Sequence, residues 1–240
     1  MGRNRFQNYG LRAQQPVSFT EMSGRYEGQA IAERRILTDV IEKLDIGPDD
    51  RLLDIGCGTG LLLLPLSFIV ERAVGLDHVD VVEVVRGRAR SEPLELIGGN
   101  FLDADLDGQS FSKILAYGVV QYLESETELH EFVNKALRHL LPGGRMLIAD
   151  MPNVDKKARF LESQSGSDFE REWNQSGLAT TRVDNTRLLP ADTIVDFTDE
   201  VVARLLLHAR AAGVDAYVLP QPPELPFGRT REDLLLIAPR

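Results

Sequence analysis

The chain has 240 residues, enough for one sizeable α/β unit with its own core. Hydrophobic residues make up 43% and charged residues 27%, an ordinary globular balance, while a net charge of −10 argues against a nucleic-acid polyanion as the main partner, because phosphate backbones need concentrated basic surface. A single cysteine, Cys57, excludes an internal disulfide.

Residues 1–30 are polar and aperiodic, with aromatic side chains at Phe6, Tyr9, Phe19 and Tyr26, and predict an N-terminal arm or lid. The N-terminus has no apolar core and is not a secretory signal. The apolar run 61–70 is too short for a bilayer and is broken by Pro65, so a cytoplasmic chain without membrane contact is expected. From Gln29, residues Ile31, Ile36, Leu37, Val40, Ile41 and Leu44 recur at helical spacing until Gly47-Pro48.

Strands and helices then alternate. A short apolar run over Arg51–Ile55 stops at glycines and leads into an apolar helix from about Leu61. A strand over 72–76 ends at Asp77, a helix spans 79–90, and a strand covers Leu94–Gly98. A strand over 113–117 precedes an amphipathic helix over 126–141, closed by Pro142-Gly143-Gly144, and a strand over 145–149. Residues 153–191 are polar and irregular, too long for a bare loop in a compact domain, and predict a partly helical insertion on the substrate side. A helix over 199–212 and strands over 216–219 and 233–238 complete the chain. This alternation predicts an α/β, doubly wound, mostly parallel sheet with helices on both faces.

The turn after the first strand is the chemical signal. Gly56, Gly58 and Gly60 let backbone approach a ligand beyond the strand end. Leu61 stands where a dinucleotide fingerprint needs its third glycine, and no Gly-Lys-Ser/Thr follows, so a P-loop is excluded. Asp54, immediately before the turn, would repel a pyrophosphate but suits a cationic ligand group. S-adenosylmethionine carries an ammonium and a sulfonium and no phosphate.

The segment Leu52-Leu53-Asp54-Ile55-Gly56-Cys57-Gly58-Thr59-Gly60 resembles the first motif of class I S-adenosylmethionine-dependent methyltransferases, and the motifs that follow are similar in order. The resemblance runs from about Ile31 to Asp150 and implies a Rossmann-like domain over 31–240, seven-stranded, with its last strand antiparallel. It implies that Asp77 holds the ribose hydroxyls, which also follows from the two acceptor oxygens of a carboxylate about twenty residues past the glycines. It further implies that His78 packs on adenine, that Asn100 and Phe101 read adenine, and that backbone near Tyr117 and Gly118 meets the methionine portion. Asn100 replaces the usual acid and Ser112 replaces another.

Plainer roles stand beside these. Asp77 is also a candidate cap for the helix over 79–90, and Asn100 a candidate turn residue. Cys57 is read as a small side chain packing beside the cofactor and not as a nucleophile. Trp173 either lines a pocket or anchors the insertion. His78, His130, His139 and His208 lack metal-ligand spacing, so no metal is expected. Methyl transfer requires mainly alignment and exclusion of water, and an oxygen acceptor benefits from a base. Tyr117 and Asp150, after the fourth and fifth strands, are the catalytic candidates, with Gln121, Tyr122, Asn153, Arg25 and Tyr26 nearby. The expected function is methylation of an oxygen or nitrogen on a small-molecule acceptor or sugar-containing metabolite. A non-catalytic methyltransferase-like regulator and an NAD-dependent oxidoreductase are the alternatives.

Overall fold

Every residue of strand β1 (Arg51–Ile55) after Arg51 is buried, as an apolar run without alternation requires of a strand covered on both faces. The computed structural model describes residues 25–89, 94–176 and 195–240. Its seven-stranded sheet has the order β3-β2-β1-β4-β5-β7-β6. The other strands are β2 (Arg72–Asp77), β3 (Leu94–Gly98), β4 (Phe111–Tyr117), β5 (Leu140–Pro152), β6 (Asp215–Pro220) and β7 (Arg231–Ile237). β1 pairs in parallel with β2 and β4, β2 with β3, and β4 with β5. Only β7 runs antiparallel, set between β5 and β6. The expected architecture is therefore present, including the reversed last strand.

The helices among the described residues are α1 (Ala30–Glu33), α2 (Ile36–Leu44), α3 (Leu63–Leu66), α4 (Val79–Arg88), α5 (Glu126–Arg138), α6 (Val154–Glu162), α7 (Gln164–Gln175) and α8 (Asp199–Ala211). Phe132 and Val133 of α5, with Val202 and Leu205 of α8, fill one face of the sheet. Ile36, Val40 and Leu44 of α2, Leu63 and Leu66 of α3, and Val85 of α4 fill the other. Caps set several helix starts: Ser125 Oγ accepts from the Glu128 amide at 3.1 Å, Asn153 Oδ1 from Lys156 at 2.9 Å, and Thr198 Oγ1 from Val201 at 3.2 Å.

Four local expectations need correction. Ile31 is 77% exposed and outside the core, because the early helix breaks after Glu33 and restarts at Ile36. The apolar stretch after the glycine turn is helical only over Leu63–Leu66. Proline at 65 has no N–H for a longer ladder, and turns occupy the rest. The helix expected to reach Leu141 ends at Arg138, and Pro142-Gly143-Gly144 lies inside β5. There the pairing jumps from Phe111↔Leu140 to Lys113↔Arg145, a bulge turned by Gly143 at φ 74°.

A second bulge interrupts β5 against β7, between Ile148↔Leu234 and Met151↔Glu232. It leaves Asp150 at φ 60°, a conformation non-glycine residues seldom adopt. The freed Asp150 amide donates to Asp233 Oδ1 at 2.9 Å. The insertion expected over 153–191 supplies α6 and α7, while its residues 177–191 lie outside the described residues, as do residues 1–24 of the expected arm and Arg90. No helix among the described residues is long and apolar enough to cross a membrane.

Candidate active site

The strand order reverses beside β1: β2 and β3 extend to one side and β4 and β5 to the other. Ligands of open α/β sheets bind at such a switch point, outside the carboxyl ends of the strands. An open cleft lies there, about 610 Å³ with the solvent space at its mouth included, and Asp54, Gly56, Gly58, Asp77, Tyr117 and Arg25 are among its lining residues. Gly56, Gly58 and Gly60 have φ of 73°, 55° and 81°, so the turn is written in left-handed backbone. A Cβ at Gly56 would lie 2.5 Å from Val119 Cγ2.

The two acids are buried in this cavity. Asp77 closes the turn: its Oδ2 accepts the Gly58 N–H at 2.7 Å and its Oδ1 the His78 N–H at 2.6 Å. Burial pushes its carboxyl up to about 6 against the lowering effect of those two donors. The Asp54 carboxylate has no hydrogen-bond or ion-pair partner among the described residues, and burial, followed by repulsion from Asp77, pushes it up to about 8. An uncompensated buried acid beside an open glycine turn is the electrostatic complement of a cation. Cys57 packs against Gly75, whose added Cβ would meet Sγ at 3.2 Å, and burial holds the thiol well above its ordinary range. It is a small, buried thiol lining the cavity.

A smaller space joins Gly56 and Asp77 to Asn100, Phe101 and Val119. Phe101 is buried and meets Phe132 edge-on at 4.9 Å, while Asn100 Oδ1 accepts from the Leu102 amide at 3.1 Å. Asn100 is thus a turn residue and also lines a space beside Asp77. His78 caps α4 through Nδ1, which accepts the Asp80 N–H at 3.3 Å, and it lines neither space. The helix cap considered for Asp77 falls to its neighbour.

On the far side, Tyr117 and Gly118 line the main cavity. The Tyr117 hydroxyl is buried with no hydrogen-bond partner among the described residues. Burial and nearby Asp150 keep it a phenol, well above its ordinary range. Arg25 lies 5.4 Å from the Tyr117 ring centre, with Nη1 on Glu33 at 2.8 Å and Nη2 3.7 Å from Asp150 Oδ2. Burial opposes its charge, but Asp150 and Glu33 outweigh that and hold the guanidinium above its ordinary range.

Asp150 is not on the cavity wall. It sits between Arg25 and Arg231, whose Nη1 is 3.6 Å from Oδ2, and burial still raises its carboxyl despite these cations. Its Oδ1 has no hydrogen-bond partner among the described residues. Beneath it, Lys43 Nζ bridges Asp39 and Asp233 at 2.7 Å each, and Asp233 Oδ1 also takes Gln221 Nε2 at 2.8 Å. Sequence reasoning missed Arg231, Asp233 and Lys43, which no local motif links. Asn153 is structural: it caps α6 and donates to Asp199 and Glu232 at 2.9 Å each.

A family model described as a methyltransferase domain matches residues 53–148. The 23S rRNA (uracil(1939)-C(5))-methyltransferase RlmD of Haemophilus parainfluenzae is 37% identical over 81 residues, which cover 33% of this chain and only 18% of that protein. Among solved structures, the N-methyltransferase NodS of Bradyrhizobium japonicum, in complex with S-adenosyl-L-homocysteine, superposes with a TM-score of 0.65 at 14% identity, over 99% of this chain and 100% of that one. Phosphoethanolamine N-methyltransferase 1 of Haemonchus contortus gives a TM-score of 0.66 at 16% identity, over 99% of this chain and 49% of that one. At such identities the likeness is one of fold. The matched model, the strand order and the acid-flanked glycine turn are those of a class I S-adenosylmethionine-dependent methyltransferase domain, which the chain resembles over residues 53–148.

Proposed function

We propose that the chain transfers a methyl group from S-adenosylmethionine to an oxygen or nitrogen of a small molecule or sugar-containing metabolite. The observation that carries this reading is Asp54, a buried acid with no partner among the described residues, facing a glycine turn. The donor set fits the cofactor: acids for its cationic groups, a carboxylate at the end of β2 for its ribose, and a space beside Asn100 and Phe101 for its base. Its sulfonium supplies a methyl group with a leaving group already in place. Glycines 56, 58 and 60 admit the ligand, Asp77 shapes the turn, and Cys57 and Tyr117 limit the space around it.

For catalysis we assign acceptor contact to Tyr117, supported by its position in the cavity lining and by a buried phenol hydroxyl with no partner among the described residues. Asp150 is a positioning residue that holds Arg25 against the Tyr117 ring. The division into an arm over 1–30 and a catalytic unit over 31–240 belongs to this reading, supported by the reach of Arg25 into the cavity.

Calorimetry with S-adenosylhomocysteine tests the cofactor half, and absence of binding would sink it. A nucleic-acid acceptor is the second reading, supported by the partial match to an rRNA methyltransferase, and the net charge of −10 weighs against it. RNA binding that weakens steeply with salt would favour it.

A further inference from the structure

Next to the cofactor cavity is a second, larger one. Its walls are Tyr26, Phe160 and Leu161 of α6, Phe169 and Trp173 of α7, and the turn around Phe227, and it encloses about 1690 Å³ open to solvent. Five of the sixteen aromatic residues of the chain line it, including the one tryptophan. They come from three separate stretches of sequence, so local composition does not explain their meeting.

The rings are not packed away as a core. Phe169 is 38% exposed, and Trp173 and Tyr26 are half-buried. Tyr26 presents its edge to Trp173 at 5.1 Å and to Phe227 at 6.2 Å, and Phe169 lies nearly parallel to Trp173 at 6.2 Å. The Arg229 guanidinium sits 4.8 Å from the Phe169 ring centre and that of Arg231 4.9 Å from Phe227. Half-exposed rings gathered around an open volume leave apolar surface in water, which a planar ligand removes with favourable stacking.

The two cavities meet at one charged partition. Arg25 lines the first cavity, and the next residue, Tyr26, lines the second. Arg231 lines the second, and Asp150 pairs with both arginines. We propose that the second cavity is the acceptor site and takes a planar aromatic small molecule whose reactive hydroxyl or amine points past Tyr26 toward Tyr117. This rests on the methyltransferase reading of the first cavity. A flipped nucleobase would stack equally well, and Lys157, Arg229 and Arg231 stand in the lining against Glu170 and Glu224, but its attached polyanion meets a chain of net charge −10.

Trp173 is a built-in reporter, because all tryptophan emission of the protein comes from this wall. Titration of the full chain with 7-hydroxycoumarin should quench that emission saturably. Decahydro-1-naphthol, a saturated molecule of similar size, should compete at least tenfold more weakly. Phe169→Ala and Tyr26→Leu should each raise the coumarin midpoint at least tenfold and leave the S-adenosylhomocysteine affinity, measured by calorimetry on the same samples, unchanged. Non-saturating quenching, equal competition by the saturated alcohol, or midpoints unmoved in both variants would overturn the proposal. So would tight, salt-dependent quenching by a uridine-rich RNA oligonucleotide with none by coumarin. Failure of the wild-type chain to bind S-adenosylhomocysteine would instead strike the cofactor reading, and the coumarin titration stands apart from it.

Discussion

Asp77 Oδ2 accepts the Gly58 N–H at 2.7 Å, so the acid that ends β2 shapes the turn that leaves β1. The same carboxylate takes the His78 amide on its other oxygen, and Gly58 and Asp77 both line the ligand cavity. Asp77→Asn places an NH2 group opposite one of the two amides, leaving a buried donor unmet. The expected cost is about 1–3 kcal/mol of stability in a thermal or urea melt. Calorimetric affinity for S-adenosylhomocysteine should fall about tenfold or more on the same scale.

Asp54 makes cofactor binding a proton-linked event. Burial and Asp77 hold its carboxyl at about 8 in place of its ordinary 3.8, so at pH 7 it carries a proton until a cation arrives. Binding should therefore release up to one proton at pH 7, seen as a calorimetric enthalpy that varies with the ionisation heat of the buffer. The release should vanish above about pH 8, where the group is already ionised, and in Asp54→Asn.

The same group sets a pH trend in stability. Its folded value lies above the unfolded one, so between about 4 and 8 the native state holds a proton that the unfolded chain gives up. The Asp54 contribution thus lowers stability as pH rises through that window and levels off above it. Asp54→Asn should remove this slope, leaving the ligand-free variant more stable than wild type at pH 8 while binding S-adenosylhomocysteine more weakly. An unchanged slope in the variant would count against the assignment.

Gly56→Ala meets two obstacles, a φ of 73° and a Cβ 2.5 Å from Val119 Cγ2. Destabilisation of about 1–3 kcal/mol is expected in denaturant melts. Adding Val119→Ala removes the collision but not the backbone strain, so the double variant should recover part of the loss relative to Val119→Ala alone.

Lys43 neutralises Asp39 and Asp233 where the last strand crosses the site. Lys43→Met leaves Asp233, which is fully buried, without its cation, and a loss of about 3–5 kcal/mol is expected. Because Asp233 also holds the Asp150 amide, the variant should loosen Arg25 and blunt quenching of Trp173 by coumarin. Melts and the same fluorescence titration measure both effects.

A strand buried on both faces leaves an unmistakable trace, and β1 lies where its apolar run stops at glycine. The acids and glycines of the cofactor side were legible for the same reason: one turn needs them within a few residues. The charged partition around Asp150 was not. Nothing in Ala149-Asp150-Met151 announces a bulge, and the pairing of Lys43 with Asp233 spans 190 residues. The helix cap made by the His78 imidazole was not foreseen, because the sequence offered Asp77 for that place. Ile31 had helical spacing, yet α1 buries no residue.

The position of β7 between β5 and β6 fixes the order in which the two halves of the site can mature during synthesis. Five parallel strands and the glycine turn are complete while residues 231–237 are still inside the ribosome. Until those residues emerge, the thirteen-residue β5 keeps one edge bare, and Asp150 lacks Arg231 and Asp233. A nascent chain therefore gains the glycine-turn cavity first and the charged partition beside it last, and a stalled or clipped product would be a sticky protein with half a pocket.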